Sequence, residues 1–305
     1  MTFKQAIYIV AAGRTPFGTF GGKLKDYTAI DLQEAANRGA LKQAKLSPEA
    51  IDITIIGSAS QTSTYAIYLA RHAALRVGVP IRVPALNMNR LCEFGSQSVI
   101  NGGQEVELSD SNIVLCGGTE KDTLWASLTD DYYKTPMTIT DNFGNFNKKK
   151  YKITRQEADE FALQSEKRKN GQDEIFDTDE HPRPQTTIEQ LSKLPFIFIK
   201  NAGIVTAAIE NLLKKVKKQV SDIDLFDINE AFAPQFLACQ KVSKLPNEKS
   251  NVNGSAIVLG HPLTASGARI TANLVYGLRR RQGKYAIGAA CIGSGQGIAL
   301  LLERI

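Results

Sequence analysis

The chain has 305 residues, with 37 Lys and Arg against 31 Asp and Glu, which gives a formal net charge of +6. This length is enough to bury a sizeable core in one large domain or two, and the composition is ordinary for a globular protein. The small basic excess favours a solvated surface over a nucleic-acid partner, because no block of like charge exceeds three residues, as at 148–150. A basic chain would still suit a phosphate-bearing substrate.

Four cysteines in a chain of this size do not form a disulfide framework, so we expect reduced thiols in an intracellular compartment. No apolar run approaches the ~20 residues that a membrane helix needs, which predicts that no segment spans a membrane. A strand-like run at residues 6–10 begins almost at the N-terminus, so no cleavable presequence is expected before it.

Apolar runs with strand character alternate with segments of helical period along the first half of the chain, which predicts an α/β fold. Thr28 stands where the first helix needs an N-cap. The predicted strands are 6–10, 54–57, the run from 83 that leads to Cys92, and 112–118, and the predicted helices are 29–45, 67–76 and 95–108.

The second half repeats this order. The predicted helices are 207–219, 233–242 and 266–281, and the predicted strands are 223–228, 253–259 leading to His261, 285–291 and 297–302. A strand–helix–strand unit thus occurs twice, which favours two duplicated α/β halves packed about a pseudo-twofold axis. A shared α/β architecture without duplication is the alternative.

We therefore predict an N-terminal half at 1–120, an inserted loop or lid region at 121–200 and a C-terminal half at 201–305. The inserted region is more polar than the halves and contains a loop-like stretch at 177–184. Thr154 and Glu157 have the spacing of a capping box and predict a helix that extends to about residue 170. Its apolar stripe, at Ala158, Phe161, Ala162 and Ser165, favours an ordered insertion over a flexible linker.

Three reactive side chains, Cys92, His261 and Cys291, follow predicted strands, and each lies within three residues of a glycine. Acyl transfer to and from sulfur needs a nucleophilic thiolate, a base that generates it, a proton carrier and donors for an oxyanion. Cys92 lies at a predicted strand-to-helix junction, where free N–H groups and the helix dipole favour a thiolate. The pattern therefore predicts one site for covalent acyl chemistry.

Each of these signals also has a structural explanation. Cys92 could be a small buried hydrophobe, His261 a hydrogen-bonded loop residue, and Cys291 a packing residue beside a glycine turn. Asn229, after the strand 223–228, could be only the N-cap of the next helix. It is the combination of the four, at corresponding places of a repeated fold, that favours a catalytic function.

Four segments together resemble the signature motifs of the thiolase family: Asn89-Arg90-Leu91-Cys92, Asn229-Glu230-Ala231-Phe232-Ala233, the segment from Asn253 to His261-Pro262, and Cys291-Ile292-Gly293-Ser294-Gly295. Residues 10–18, 68–72 and 181–187 also fit this family. The resemblance covers nearly the whole chain and is closest to the mitochondrial branch of acetyl-CoA acyltransferases.

The resemblance implies a layered αβαβα fold and the CoA-dependent cleavage of 3-ketoacyl-CoA in fatty acid β-oxidation. Cys92 would carry the acyl group as a thioester, His261 would activate Cys92, and Cys291 would move protons to and from the second thiol or carbanion. Asn229 would hold a water of one oxyanion hole, and the backbone N–H groups of Cys92 and Gly293 would form the other. CoA and acyl-CoA would be substrates, with no permanently bound cofactor and no metal, in a mitochondrial homodimer or homotetramer.

The chain departs from the family pattern in two respects. Glu93-Phe94-Gly95 stands where the family has Gly-Ser-Gly, and the Glu93 carboxylate would oppose formation of a thiolate at Cys92. Segments after residues 117–120 and 201–207 are missing, which predicts incomplete sheets. A thiolase-like protein that binds acyl-CoA or a partner without turnover is therefore the alternative; a ketoacyl synthase is disfavoured, because those enzymes have a histidine in place of Cys291.

Overall fold

The computed structural model describes residues 3–60, 62–121, 152–167, 179–192, 206–293 and 296–305. The block 148–150, part of the loop-like stretch 177–184 and the loop segment 201–205 lie outside the described residues. The chain divides into two compact units, Met1–Thr123 with Pro262–Val275, and Leu124–His261 with Tyr276–Ile305. We describe each unit by itself.

The first unit is built on a parallel sheet of three described strands in the order β2-β1-β3. Its elements are α1 (Ala29–Ala44), β1 (Ile53–Gly57), α2 (Leu69–Arg76), β2 (Ala85–Met88), α3 (Phe94–Glu107) and β3 (Val114–Gly118). The central strand is buried on both faces, and Ile55 and Ile56 are fully buried. These elements confirm the α/β prediction for residues 28–118, including the N-cap Thr28, whose side chain forms a capping box with Asp31.

The second unit contains a sheet of three described strands in the order β4-β5-β6, with β5 parallel to β4 and antiparallel to β6. Its elements are α4 (Arg155–Lys167), α5 (Ile188–Ser192), α6 (Thr206–Val216), β4 (Leu225–Ile228), α7 (Ala233–Ser243), α8 (Ala256–Leu259), β5 (Tyr285–Ile292) and β6 (Gln296–Glu303). The division between the units falls within a further helix, α9 (Thr264–Arg281). Ser250 forms an isolated parallel bridge with Phe226, beside β4.

The predicted helix of the inserted region is confirmed. Thr154 Oγ1 accepts a hydrogen bond from Glu157 N at 3.1 Å, and Glu157 Oε2 accepts from Thr154 N at 2.6 Å, which is the predicted capping box. Phe161 of α4 stacks on Phe236 of α7 with ring centroids 4.3 Å apart, inside the apolar core of the second unit. Phe161, from the predicted apolar stripe of α4, is thus part of the core of the second unit.

The predicted N-terminal strand at 6–10 is wrong. These residues form no strand or bridge, and Tyr8 and Val10 are 59% and 61% exposed. A strand needs the hydrogen bonds of a neighbour, and none of the described strands pairs with this segment. The backbone N–H of Lys4 instead donates to the Glu107 carboxylate at the end of α3.

The predicted strand at 253–259 is also wrong, because residues 256–259 form the one-turn helix α8. A short apolar run such as Ala256-Ile257-Val258-Leu259 has the same pattern in a buried helix as in a buried strand. The turn before it decides the outcome: Asn251 and Gly254 have φ values of 46° and 73°, which end any extended conformation. His261 therefore follows a helix and not a strand.

The first turn of α3 lies against the backbone of residues 264–268 with no space for side chains. A Cβ atom on Gly95 would lie 2.1 Å from Ala268 N and 2.6 Å from Thr264 O, and one on Gly118 would lie 2.4 Å from Thr264 O. This close approach fixes the start of α3, and hence the residue pair Cys92 and Glu93 just before it.

We expect Gly95→Ala to lower the free energy of unfolding by about 1–3 kcal/mol or more, because the new methyl group meets rigid backbone atoms. Gly39→Ala is the matched control, since Gly39 is exposed in α1 with nothing within 4 Å of the added Cβ. That variant should gain about 0.5–1 kcal/mol from helix propensity. Urea unfolding followed by circular dichroism measures both changes, and equal effects of the two substitutions would contradict the close packing.

A buried carboxylate closes the carboxyl end of the first sheet. Glu120, two residues beyond β3, accepts hydrogen bonds from Ala59 N at 3.1 Å, Ser60 N at 2.8 Å and Thr264 Oγ1 at 3.1 Å. Burial raises the pKa of Glu120 above its ordinary value of 4.5, and it outweighs the bonds from these donors. The folded protein therefore holds this proton at pH values where the unfolded chain has lost it.

Because the pKa of Glu120 is higher in the folded protein than in the unfolded chain, we expect the free energy of unfolding to fall as pH rises from about 4.5 through this raised pKa. Glu120→Gln removes the titrating group, so the stability of this variant should fall less over the same interval. Chemical unfolding at a series of pH values gives the two slopes. Identical slopes for the wild type and the variant would show that Glu120 does not titrate in this range.

Candidate functional site

Cys92 lies in a single 3₁₀ turn, Leu91–Glu93, between β2 and α3. Leu91 has a left-handed φ of 55° and its N–H donates to Asn89 Oδ1 at 3.2 Å. The side chain of Cys92 is partly buried. The predicted strand-to-helix junction is therefore confirmed for Cys92, immediately before the N-terminus of a helix of 14 residues.

The 3₁₀ turn that contains Cys92 is held by a chain of hydrogen bonds that begins at Glu120. The carboxylate of Glu120 binds the N–H groups of Ala59 and Ser60. The carbonyl of Ala59 in turn accepts from Asn89 Nδ2 at 3.3 Å, and Asn89 Oδ1 accepts from Leu91 N. Sequence reasoning gave no role to Glu120, because only the fold brings it to the loop after β1.

The unusual pair Glu93-Phe94 is fully buried in the first unit. The Phe94 ring packs on β1, where a Cβ atom at Gly57 would lie 2.1 Å from Phe94 Cβ. Glu93 Oε2 accepts a hydrogen bond from Ser96 Oγ at 3.1 Å and lies beside Gly267. The bulk of Phe94 is thus accommodated in the core, whereas Glu93 places a carboxylate next to the Cys92 turn.

In the second unit, Asn229 and His261 are brought together. Asn229 follows β4 directly, and its backbone N–H continues the parallel ladder by donating to Ala289 O at 2.9 Å. Its side-chain Nδ2 lies 3.3 Å from His261 Nε2. His261 follows Gly260, which has a φ of 93° at the end of α8. Two residues 32 positions apart in the chain therefore form a hydrogen-bonded pair.

The side-chain oxygen of Asn229 is able to accept a further hydrogen bond. Asn229 is fully buried, and its Oδ1 has no hydrogen-bond partner among the described residues. A buried amide oxygen is normally hydrogen-bonded, to protein or to water. The predicted water would donate one O–H to Asn229 Oδ1, which leaves its other O–H for a developing oxyanion.

Cys291 lies next to last in β5, opposite Gly297 of β6, and is 8% exposed. It packs with Cys239 of α7 and with Ala231, two residues beyond Asn229. Asn229 and Cys291 therefore occupy the carboxyl ends of the neighbouring parallel strands β4 and β5. Gly293 follows β5 directly.

The four cysteines divide into two kinds. None of them forms a disulfide. Burial raises the pKa of Cys116 and that of Cys239 to about 12, so both are neutral thiols at physiological pH. Cys92 lies in the 3₁₀ turn before α3, and Cys291 lies next to last in β5.

Glu230 is a further residue of this site, and its function was not recognised from the sequence. Its carboxylate is 2% exposed and accepts hydrogen bonds from Asn251 Nδ2 at 2.8 Å, Ser165 Oγ at 2.9 Å and Ile257 N at 3.1 Å. Its place in Asn229-Glu230-Ala231-Phe232 was a signal, but its three donors come from distant parts of the chain. Glu230 thus connects β4, α4 and α8.

Within the described residues, no group of three or more His, Cys, Asp or Glu side chains is arranged to hold a metal ion. In the described parts of the chain, no helix has both the length and the apolar character that crossing a membrane requires.

Two family models match the chain. The model "Thiolase, N-terminal domain" matches residues 7–124 and 121–211, and the model "Thiolase, C-terminal domain" matches residues 201–304. Together they span nearly the whole sequence.

Similar proteins with known names agree with this match. The chain is 41% identical to the mitochondrial 3-ketoacyl-CoA thiolase of Bos taurus over 399 aligned positions, which cover 99% of both proteins. Because this chain has only 305 residues, a substantial part of the bovine protein has no residue opposite it.

Solved structures show the same fold. Human mitochondrial 3-ketoacyl-CoA thiolase in complex with CoA matches with a TM-score of 0.88 and 41% identity over 97% of each chain. The acetyl-CoA acetyltransferase of Bacillus anthracis matches with a TM-score of 0.87 and 31% identity over 97% of this chain and 98% of the other. The family models, the relatives and the fold agree, and the chain belongs to the thiolase family.

Proposed function

We propose that this thiolase cleaves 3-ketoacyl-CoA with CoA, in fatty acid β-oxidation, to give acetyl-CoA and an acyl-CoA shortened by two carbons. The relatives that support this substrate class are named 3-ketoacyl-CoA thiolases, and the human structure contains CoA. The structural observation that carries the proposal is the Asn229–His261 pair, with the buried Oδ1 of Asn229 available to a water.

The reaction needs two half-steps. In the first, the Cys92 thiolate attacks the 3-keto carbonyl, the bond between C2 and C3 breaks, and the acetyl-CoA carbanion leaves as it takes a proton from Cys291. In the second, the Cys291 thiolate takes the proton of the CoA thiol, and the CoA sulfur attacks the Cys92 thioester. Cys92 then leaves as a thiolate, and the shortened acyl-CoA is released.

The remaining residues stabilise charge in these steps. His261 takes the proton of the Cys92 thiol and, with the water on Asn229, donates to one oxyanion. The backbone N–H groups of Cys92 and Gly293 donate to the other. Donors of this kind are each worth about 10²–10³ in rate. The N-terminus of α3, next to Cys92, adds a partial positive charge that favours its thiolate.

The proposal also covers the cellular location of the protein, its division into domains and its small-molecule partners. We assign the protein to the mitochondrion, since the named relatives are mitochondrial enzymes. Residues 1–120 and 201–305 are proposed as the two thiolase halves, with 121–200 inserted between them. CoA and acyl-CoA are the small-molecule partners, and no permanently bound cofactor is required for the two half-steps.

A second function, the binding of acyl-CoA without turnover, is favoured by one observation. Glu93 is a fully buried carboxylate directly after Cys92, and a negative charge there opposes the thiolate. The two functions differ in a simple measurement, since only a thiolase consumes CoA and releases acetyl-CoA.

We expect the purified protein to cleave acetoacetyl-CoA or a longer 3-ketoacyl-CoA when CoA is added. Cys92→Ser should lower kcat/KM by about 10³-fold or more, because the hydroxyl is a far weaker nucleophile at neutral pH. Loss of the 3-ketoacyl-CoA absorbance follows turnover, and mass spectrometry of the acyl-CoA-treated protein locates the acyl group on Cys92.

Cys116→Ala is the matched control, because it removes a neutral thiol that lies outside the proposed machinery. This variant should retain the turnover of the wild type. An acyl-CoA-binding protein with no turnover and no acyl group on Cys92 would support the second function instead.

We also propose that the protein associates with a second copy through strand β2. This strand is an edge of its described sheet, and the apolar side chains beside it are exposed: Tyr65, Ile67, Tyr68, Ile81 and Leu86. Ile67, Tyr68 and Ile81 also line a groove of about 470 Å³ next to the strand. An exposed strand edge with an apolar border is a site of strand addition and association.

Leu86→Lys should therefore convert a dimer or tetramer into smaller species, because it places a charge on this edge. Leu108→Lys is the control, since Leu108 is 71% exposed at the end of α3. Sedimentation equilibrium measures the mass. A wild-type monomer, or the same dissociation in both variants, would contradict the interface.

A further inference from the structure

We propose that Glu230 is the positioning residue of His261, and that Ser165 in the inserted region supports it. The inference rests on the proposed function where activity is measured, but its geometry is independent of any substrate. Glu230 lies next to Asn229 in sequence, and the two side chains hold opposite ends of the segment that ends at His261.

The Glu230 carboxylate uses both oxygens. Oε1 accepts from Asn251 Nδ2 at 2.8 Å, and Oε2 accepts from Ser165 Oγ at 2.9 Å and from Ile257 N at 3.1 Å. All of these polar atoms lie in a region from which solvent is excluded, since Glu230 is 2% exposed and Ser165 and Asn251 are fully buried. A buried carboxylate is maintained only with such donors.

The contact to Ile257 matters because α8 has only four residues. A helix of one turn is not stable on its own, and its first N–H groups have no partner within the helix. Glu230 supplies that partner by accepting the hydrogen bond of Ile257 N. His261 lies four residues after Ile257, so the position of the imidazole depends on this turn.

The same turn is fixed from two further directions. Asn251 accepts from Ile228 N at 2.7 Å and donates to Ile228 O at 2.8 Å, so the group that binds Glu230 is itself bonded to the end of β4. The ring of His181 lies against Gly260, where an added Cβ would be 2.8 Å from His181 Cδ2. His261 is therefore held by β4 and by two parts of the region predicted as an insertion.

The donors around Glu230 explain why a carboxylate is needed at this position. Its carboxylate accepts hydrogen bonds from Asn251, Ser165 and Ile257. A glutamine has one acceptor oxygen, and its amide N–H₂ would face either Asn251 Nδ2 or the donors Ser165 and Ile257. One or more of the three bonds is therefore lost in Glu230→Gln, although the side chain keeps its size. The expected consequence is a displaced α8 and a weakened Asn229–His261 contact.

We expect Glu230→Gln to lower kcat at least tenfold with less than a twofold change in KM, because His261 acts on the reacting atoms and Glu230 does not touch substrate. The pH profile of kcat/KM should change in the limb that reports His261. Ser165→Ala, which removes one of the three donors, should give a smaller change in the same direction. Glu157→Gln is the matched control, since this exposed carboxylate only caps α4 and should leave all three parameters unchanged.

A second measurement does not need turnover. The chain has three histidines, His72, His181 and His261, so the imidazole resonances of ¹³C-labelled protein are assigned with three single variants. In Glu230→Gln and Ser165→Ala we expect the His261 resonance to shift and its titration midpoint to move, while His72 stays unchanged.

Wild-type kcat together with an unchanged His261 titration in Glu230→Gln would overturn the proposal. If Glu230→Gln does not fold, Ser165→Ala is tested by the same two measurements, kcat and the His261 titration. If Ser165→Ala changes neither of them, the proposal is overturned. A wild-type protein without thiolysis, but with a displaced His261 resonance in both variants, would contradict the proposed function and leave this inference supported.

Discussion

In each unit a buried carboxylate binds backbone N–H groups near a candidate site residue. Glu120 binds the N–H groups of Ala59 and Ser60 in the first unit, and Glu230 binds that of Ile257 in the second. Each lies just beyond the carboxyl end of a strand, where loops would otherwise leave buried N–H groups without partners. A carboxyl group is suited to this place because its two oxygens can accept hydrogen bonds from several donors at once.

This arrangement separates the residues that react from those that hold them. Cys92 and His261 lie on short, irregular turns, a 3₁₀ turn and the end of a single helical turn, which have little stability of their own. Their positions depend on hydrogen bonds from Asn89 and Asn229, and on glycines whose missing side chains let backbones approach each other. The reactive groups are thus placed by a rigid polar frame and not by the strands themselves.

The regular elements could be predicted from the sequence because their apolar periodicity decides them locally. Helices α1, α3 and α9 and the strands β1, β3 and β5 agree with the predicted segments within a few residues. The failures have physical reasons. The run at 6–10 has strand character but no described partner, and the run 256–259 is shaped by the turn at Asn251, whose side chain binds Ile228 from 23 residues away. The buried network around Glu230 joins residues 65 positions apart, and no local pattern encodes it.

Phe94 and Glu93, which depart from the family pattern, have different effects in this structure. Phe94 replaces a small residue, yet it is fully buried against Gly57 and contributes to the core of the first unit. Glu93 is also buried, and its carboxylate accepts a bond from Ser96 in the first turn of α3. At that place it meets the positive end of the helix dipole, which offsets part of its repulsion toward a thiolate at Cys92. Glu93 thus stabilises the start of α3 through Ser96, while a negative charge at this position would oppose a thiolate at Cys92.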